Sequence, residues 1–400
     1  MSGSAAAIGR LQRTSARYFQ RPDAPHVRLD DVRTSLSGWN GHVEVSRSNR
    51  DLLVNIATWA ISPGFESNDL GFQTGADRIG AHGFVLWQKA RADRFTRYRY
   101  AGVAKFYNWN FGRQLVGDGV YAEAVASLRN NWVIFANAIV NRAVWDDRFT
   151  RGGPLARRPA SRSATINVTT DERRRLSAGL STNLTDNAAG AWSGTLAPSI
   201  TVRPSPRITA TVGPQWTRVR SAAQYVRGVS DPTAVETLGG RYVFGDLDRT
   251  DVAMVVRVNA IFTPKMSLQV YAQPFVAAGR YWDLKEFSAP RTYTFGRYGV
   301  DQGTMAYDPA ARRFAIDPDG TGIAPAFTVP DPDFNVKSLR VNAVFRWEWR
   351  LGSTFYAVWT HERADYLNPG DLAVGRDLSS LARAPGDNVF MVKVAYWFSR

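Results

Sequence analysis

The stretch "SLRVNAVFRWEWR", residues 338–350, changes character at nearly every step. Leu339, Val341, Ala343, Phe345, Trp347 and Trp349 form one set, and Arg340, Asn342, Val344, Arg346, Glu348 and Arg350 form the other. A period of two is the signature of an extended strand, whose side chains point alternately to opposite faces. An arginine facing hydrocarbon near a bilayer midplane costs about 2–4 kcal/mol, so two or three would rival the stability of a whole domain. The charged set therefore needs water. The reading is a membrane strand in which Arg340, Arg346, Glu348 and Arg350 line a wet lumen where opposite charges pair. Phe345, Trp347 and Trp349 then face lipid, with the tryptophans suited to an interfacial aromatic girdle. A soluble sheet with its apolar face on a core fits this one strand equally well, but it needs a second layer for every strand.

The same unit recurs along the chain. In "DGVYAEAVASLRNNWVIFANAIVNR", Val120, Ala122, Ala124, Ala126 and Leu128 precede an Asn130-Asn131 turn, and Ile134, Ala136, Ala138 and Val140 return. Asparagine tolerates the positive φ of such turns. Further hairpins turn at Thr263-Pro264-Lys265 and within "RPSPR" at 203–207. Counting these segments predicts roughly fourteen to sixteen strands with no helix. Short turns alternate with long Gly-, Asp- and Pro-rich connections at 62–80, 146–160, 227–248, 282–336 and 364–386. Short turns on one rim and long loops on the other describe an antiparallel up-and-down transmembrane β-barrel. The expected division is an N-terminal segment, 1–30, left from a longer upstream region, then a barrel over 31–400 with a long extracellular loop at 282–336.

Composition agrees with an all-β fold. The 400 residues are 44% hydrophobic and 12% aromatic, too rich for a disordered chain. No run approaches the roughly 18–20 apolar residues of a membrane-spanning helix, which excludes an α-helical membrane protein and leaves a β-barrel open. Zero cysteines exclude disulfides, thiolate metal sites and a cysteine nucleophile. The net charge of +15 is spread along strands, as at Arg97 and Arg99, rather than gathered on one patch or tail, which argues against nucleic acid. The dense cluster Arg173–Arg175 reads as a solvated strand end. The opening "MSGSAAAIGRLQRTSARYFQ" has no secretory core of about 7–15 apolar residues. Taken literally that means cytoplasm, but strand-like sequence begins early, as it would in a piece of a longer gene product.

The end of the chain carries a second signal. In "NVFMVKVAYWFSR", Phe390, Val392, Val394, Tyr396 and Phe398 share one face, and Met391, Lys393 and Ala395 share the other. A closing amphipathic strand with aromatics is the substrate of outer-membrane barrel-assembly machinery, although Ser399 and Arg400 follow the usual aromatic end. Lys393 joins the expected lumen set, and Tyr396 and Phe398 join the girdle.

Several long stretches, "YFQRPDAPHV" with "RTSLSGW", "SPGFESNDLGFQTGADR", "TPKMSLQVYAQPFVAAGRY" and "DPDFNVKSLRVNAVFRWEWRLGSTFYAVWT", together with the closing "VKVAYWF", resemble the carboxyl-terminal barrel region of the domain-of-unknown-function 5916 family. The resemblance implies an outer-membrane location. Family members carry a signal peptide and a domain similar to carbohydrate-binding modules ahead of the barrel, so a carbohydrate link is implied only through a part this sequence lacks. It transfers no catalytic residue.

Chemistry is sparse. His26, His42, His82 and His361 accompany no nucleophile motif and no metal spacing. His361, near Glu362 and Asp365, is the one a hydrolase would use. Asp317, Asp319, Asp331 and Asp333 are weak calcium candidates, against the reading of a solvated Asp/Pro/Gly turn. The expectation is therefore no cofactor, with calcium held open. The functional reading is an outer-membrane solute channel or uptake barrel with an arginine-rich lumen for anionic or carbohydrate solutes. Its partners would be membrane lipid and the assembly machinery, and nucleic acid is excluded. The alternatives are a non-conducting scaffold or surface receptor, and then a hydrolase.

Overall fold

The computed structural model describes residues 1–67, 71, 73–367 and 369–398. Ser399 and Arg400, with part of the "SPGFESNDLGFQTGADR" motif, lie outside the described residues. Helix α1 (Ala5–Gln12) opens the chain. The strands follow as β1 (Asn40–Ser48), β2 (Leu52–Ile61), β3 (Arg78–Lys89), β4 (Thr96–Trp109), β5 (Leu115–Leu128) and β6 (Val133–Asn141). A short hairpin, β7 (Val144–Asp146) and β8 (Ala156–Arg158), precedes β9 (Ser161–Thr169), β10 (Leu176–Asn187), β11 (Trp192–Ser205), β12 (Ile208–Ser230), β13 (Gly240–Thr263) and β14 (Met266–Phe287). Next come β15 (Phe295–Arg297) and a small sheet of β16 (Thr304–Asp308), β17 (Arg313–Asp317) and β18 (Phe327–Pro330). Strands β19 (Phe334–Arg350) and β20 (Ser353–Leu367), helix α2 (Val374–Arg383) and β21 (Gly386–Ala395) complete the chain.

These strands build one 16-stranded sheet. Fifteen follow each other as β1 to β6, β9 to β14 and β19 to β21, and β15 adds to the end of β14. The turns act as the sequence predicts. Asn131 takes φ 63°, and Pro264-Lys265 links β13 to β14. Gly352 takes φ 75° at the β19–β20 turn, where an added Cβ would stand 2.9 Å from Trp397 Cβ.

Directly opposed residues share a face, so the register carries the assignment from 338–350 around the sheet. Phe345 opposes Leu268 and Ala357, Leu268 opposes Ala260, and Ala357 opposes Val392. Across the sheet the same face holds Val256, Val212 and Ile200, and at the other edge Val85, Ile56 and Val45. The opposite face holds Lys393, Tyr356, Arg346 and Ser267, then Asn342, Tyr271, Arg257, Thr211 and Thr201. Among the described residues no protein layer covers the apolar face near the short turns, for Val45 is 71% exposed, Trp216 52% and Val392 64%. The buried hydrophobic clusters lie elsewhere. One is within the N-terminal segment around Ile8, Phe19 and Leu36, and two are beside the long connections, around Val243 with Tyr298 and around Phe244 with Phe287.

The connections alternate in length. One rim has 49–51, 90–95, 129–132, 170–175, 206–207, 264–265 and 351–352; the other has 62–77, 110–114, 142–160, 188–191, 231–239, 288–333 and 368–385. On β12 the apolar face reads Ile208, Ala210, Val212, Pro214 and Trp216 from the short-turn rim, then Arg218 and Arg220. Charges at the same height include the pairs Arg218–Asp248 (3.1 Å) and Arg162–Asp186 (2.8 Å). The band between turn and charges is about ten residues deep, the length of a tilted membrane strand.

Four expectations need correction. The chain does contain helices, α1 and α2, each ten residues or fewer. Residues 227–248 are mostly strand: β12 runs to Ser230 and β13 starts at Gly240, because Val229, Tyr242 and Phe244 keep their ladder partners around the glycines. Residues 282–336 are not one free loop, since β14 continues to Phe287 and β16–β18 form a sheet with Ile316 and Val329 buried. The expected boundary at residue 30 falls inside a folded unit whose buried cluster runs to Leu36.

Candidate functional site: a polar face capped at one end

The polar face is sequence-built in two halves. From β9 to β12 it presents Ser163, Thr165, Asn167, Asn183, Thr195 and Thr217, uncharged until Arg203 near the turn. Thr195 and Thr217 share a hydrogen bond of 3.0 Å, and Thr201 and Thr211 one of 2.9 Å. From β13 onward the face is charged, and three of its arginines face acids, while Arg257 lies over the Tyr271 ring at 5.4 Å. Arg249 meets Asp251 at 2.7 Å, Arg346 meets Glu348 at 2.9 Å and Arg340 meets Glu362 at 3.9 Å. Lys393 stands opposite Tyr356 on this face.

Arg350 departs from the expected set. A register shift after Glu348 puts it at the hairpin end, where its Nη1 donates to Tyr396 Oη at 3.0 Å. Phe345 sits on the apolar face, and Trp347 and Trp349 meet edge-on at 6.2 Å beside the turn. Tyr396 and Phe398 lie beyond the last residue of β21, packed on each other at 4.6 Å. The aromatics therefore gather at the short-turn rim.

The four aspartates are not brought together. Asp317 Oδ1 accepts from Gly320 N–H, Asp319 Oδ2 from Ala324 N–H, and Asp333 Oδ1 from Tyr281 N–H. Asp331 pairs with Arg312 at 2.8 Å. Among the described residues no three His, Asp or Glu side chains converge as a metal site. His361 lies on the apolar face opposite Val341, its Nδ1 3.0 Å from Asn388 Oδ1 and its Nε2 accepting from Arg363 Nε. Arg173 is spent on Asp171 at 2.9 Å in an exposed turn.

Sequence reasoning missed the cap. The N-terminal segment and residues 142–160 close over the long-connection rim through buried ion pairs. Asp77 accepts from Arg21 Nη2 (2.9 Å) and from Phe111 N–H (2.9 Å), and lies 2.9 Å from His26 Nε2. Asp147 takes a two-pronged contact from Arg78 (2.7 and 2.9 Å) and lies 3.1 Å from Arg21 Nη1. Arg148 Nη2 donates to the carbonyls of Ala16 (2.9 Å) and Ala76 (3.0 Å), and Arg17 meets Glu66 at 2.6 Å. Arg21 and Asp77 keep 2% of their side-chain surface exposed, and Asp147 3%. The connection then crosses to strands far away in the sheet: Phe149 stacks on Phe244 at 4.6 Å, and Gly153 sits where an added Cβ would be 2.2 Å from the Tyr242 ring.

Burial pushes the Asp147 carboxyl up, but the Arg78 guanidinium and its hydrogen bonds, with Arg21, bring it down to about 2. Burial likewise opposes ionisation of Asp77, and His26, the Phe111 N–H and Arg21 outweigh it and hold that carboxyl below its ordinary value. Burial, with Arg78 nearby, lowers Arg148 to about 10. Under the cap, against the polar face, lies an open pocket of about 530 Å³ with Trp59, Asn108, Arg78, Asp146, Arg148 and Arg158 in its wall. The cap partners are separated by 51 residues for His26 and Asp77 and 69 for Arg78 and Asp147, so no local spacing reveals them.

With this geometry in place, the chain can be compared with known proteins. The model of the family described as domain of unknown function (DUF5916) matches residues 5–399. The chain belongs to this family. No curated protein matches it. Among solved structures, a bacterial polysaccharide outer membrane secretin is 12% identical, covering 86% of this chain and 89% of its own, with a TM-score of 0.28. A score that low carries no argument about this DUF5916 protein's role.

Replacing Arg21 with Met leaves Asp77 and Asp147 buried with one cation fewer. Removing one partner of such a cluster costs about 3–5 kcal/mol, so tryptic cutting at Arg10 and Arg13 should accelerate at least tenfold while the short-turn rim stays resistant. Unchanged cutting would mean that the pairs do not hold the cap. The pH dependence has a definite sign. Carboxyls with depressed folded-state pKa values stabilise the cap above the ordinary aspartate pKa of 3.8 and lose that contribution as pH falls towards about 2. A spin label on Arg33→Cys, the only thiol in that variant, should therefore report an immobile segment at pH 7 and a progressively freed one as pH falls from about 4 to about 2.

Proposed function

We propose that this protein forms the wall of an outer-membrane β-barrel whose polar face borders a path for a polar solute, with the N-terminal segment and residues 142–160 covering one mouth. The observation that carries the reading is the apolar face: it runs across fifteen strands, has exposed apolar side chains on all of them but β14, where they are half-buried, and ends at a row of charges about ten residues from the short turns. Water would penalise such a surface at roughly 25 cal/mol per Å², and lipid would not. Lipid and the assembly machinery of that membrane are then the partners.

The matched charges of the polar face alter the solute expectation. Arg249, Arg340 and Arg346 each face an acid, which weakens the pull on simple anions and leaves Arg257 and Lys393 to exert what remains of it. A carbohydrate fits the hydroxyl-lined half, and the cavity beneath the cap is of single-sugar to disaccharide scale. The second reading, a non-conducting scaffold, is favoured by the cap itself, which fills the mouth with buried ion pairs.

Adjacent residues test the membrane face. Val256→Arg, on the apolar side, should cost about 2–4 kcal/mol in lipid, whereas Val255→Arg, on the polar side, should cost less than half as much. Urea unfolding in phospholipid vesicles reads both, and equal costs would sink the reading. Conductance in planar bilayers separates path from scaffold: the native chain should show small, rare steps and Arg21→Met larger, frequent ones. Silence from both, in folded samples, favours the scaffold.

A further inference from the structure

The two edge strands are the least satisfied part of the fold. All nine residues of β1 and nine of the ten in β21 are exposed, on both faces. Each pairs on one side only, β1 with β2 and β21 with β20. A row of free N–H and C=O groups is a pairing template in water and costs several kcal/mol per group in hydrocarbon, so a barrel wall cannot keep two of them.

Strand direction decides how the gap can close. Every successive pair of the fifteen is antiparallel, so the first and last strands run the same way. Direct closure would make one parallel pair in an otherwise antiparallel sheet, and parallel pairs are slightly weaker. Both edges alternate in the same sense, with Val43, Val45, Val392 and Val394 towards the apolar face and Glu44 and Lys393 towards the polar one.

We propose that the free edges of β1 and β21 together form a docking slot for one strand of a separate polypeptide. That strand is about ten residues long, alternates apolar with polar side chains, and lies antiparallel to both edges. It brings the spanning strands to sixteen, the even number typical of bacterial barrels, and satisfies both free ladders at once in the manner of β-strand addition. The inference rests on reading the sheet as a barrel wall, but its test reads strand pairing and not conductance.

The chain has no cysteine, so single thiols report pairing cleanly. Val45→Cys and Val392→Cys variants of the full chain, folded in detergent micelles, are mixed with a ten-residue peptide alternating valine and threonine. The peptide carries lysine at each end and one central cysteine activated as a mixed disulfide. Both variants should be labelled at least tenfold faster than Val256→Cys, which sits on an inner strand, and at least tenfold faster than with a peptide of the same composition that groups its valines. Equal labelling of all three variants, or no preference for alternation, overturns the slot. An intramolecular disulfide in the Val45→Cys/Val392→Cys double variant without peptide overturns it in favour of direct closure. A Val45–Val45 linked dimer overturns it in favour of a second copy.

Discussion

The constraint on which the structure depends is the two-residue period of side chains along a strand, combined with the cost of placing a charge in oil. Once Phe345 and Val256 point one way, Arg346 and Arg257 must point the other, and hydrogen-bonded register passes that choice from strand to strand. A slip of one residue anywhere would put arginines into the apolar face and valines into the polar one. The register is therefore held by every pair in the sheet and not by any single turn.

The long-connection rim obeys a different logic. There β12, β13 and β14 run to 23, 24 and 22 residues, more than twice the nine of β6 and β9, and their far ends have a protein core of their own. Phe149, Phe244 and Phe287 supply part of it, and Val243 with Ile316 and Val329 supply another. The cap between these clusters is ionic. Buried ion pairs are weak sources of net stability but severe penalties when broken, so they fix one arrangement of the segment without making it very stable. That combination suits an element that must sit in one place and yet be releasable.

The spanning part of the fold was legible in the sequence because its signal is local. Val120 to Val140 shows strand, turn and strand within a window of about twenty residues, and Asn131 adopts the positive φ that asparagine permits. What was illegible depends on contacts between distant residues. Helix α2 is ten residues long, too short to announce itself by propensity, and it is held where Asp377 accepts from Ala373 N–H at 2.9 Å and from Asn335 Nδ2 at 3.1 Å. The glycines of 227–248 resemble a loop, yet cross-strand partners keep them in a ladder. In the site, the alternation placed Arg340, Arg346 and Glu348 together, but Arg350 was lost to a register shift that no period reveals. The cap cluster was invisible because Arg21, Asp77 and Asp147 have no common spacing.

The matched charges of the polar face bear on why an arginine-rich chain need not be an anion path. Net charge describes the whole molecule, whereas a solute meets only the residues along one face. Of the surplus arginines, Arg162 and Arg218 pair on the apolar side of the sheet and Arg173 lies in a turn. Others, such as Arg21 and Arg78, are consumed inside the cap. On the polar face Arg249, Arg346 and Arg340 are set against Asp251, Glu348 and Glu362, while Arg257 lies over the Tyr271 ring. Pairing thus reduces the field a solute would meet, and selection would draw on hydrogen bonding and size as well as charge, with the threonine ladder of β11 and β12 providing donors and acceptors.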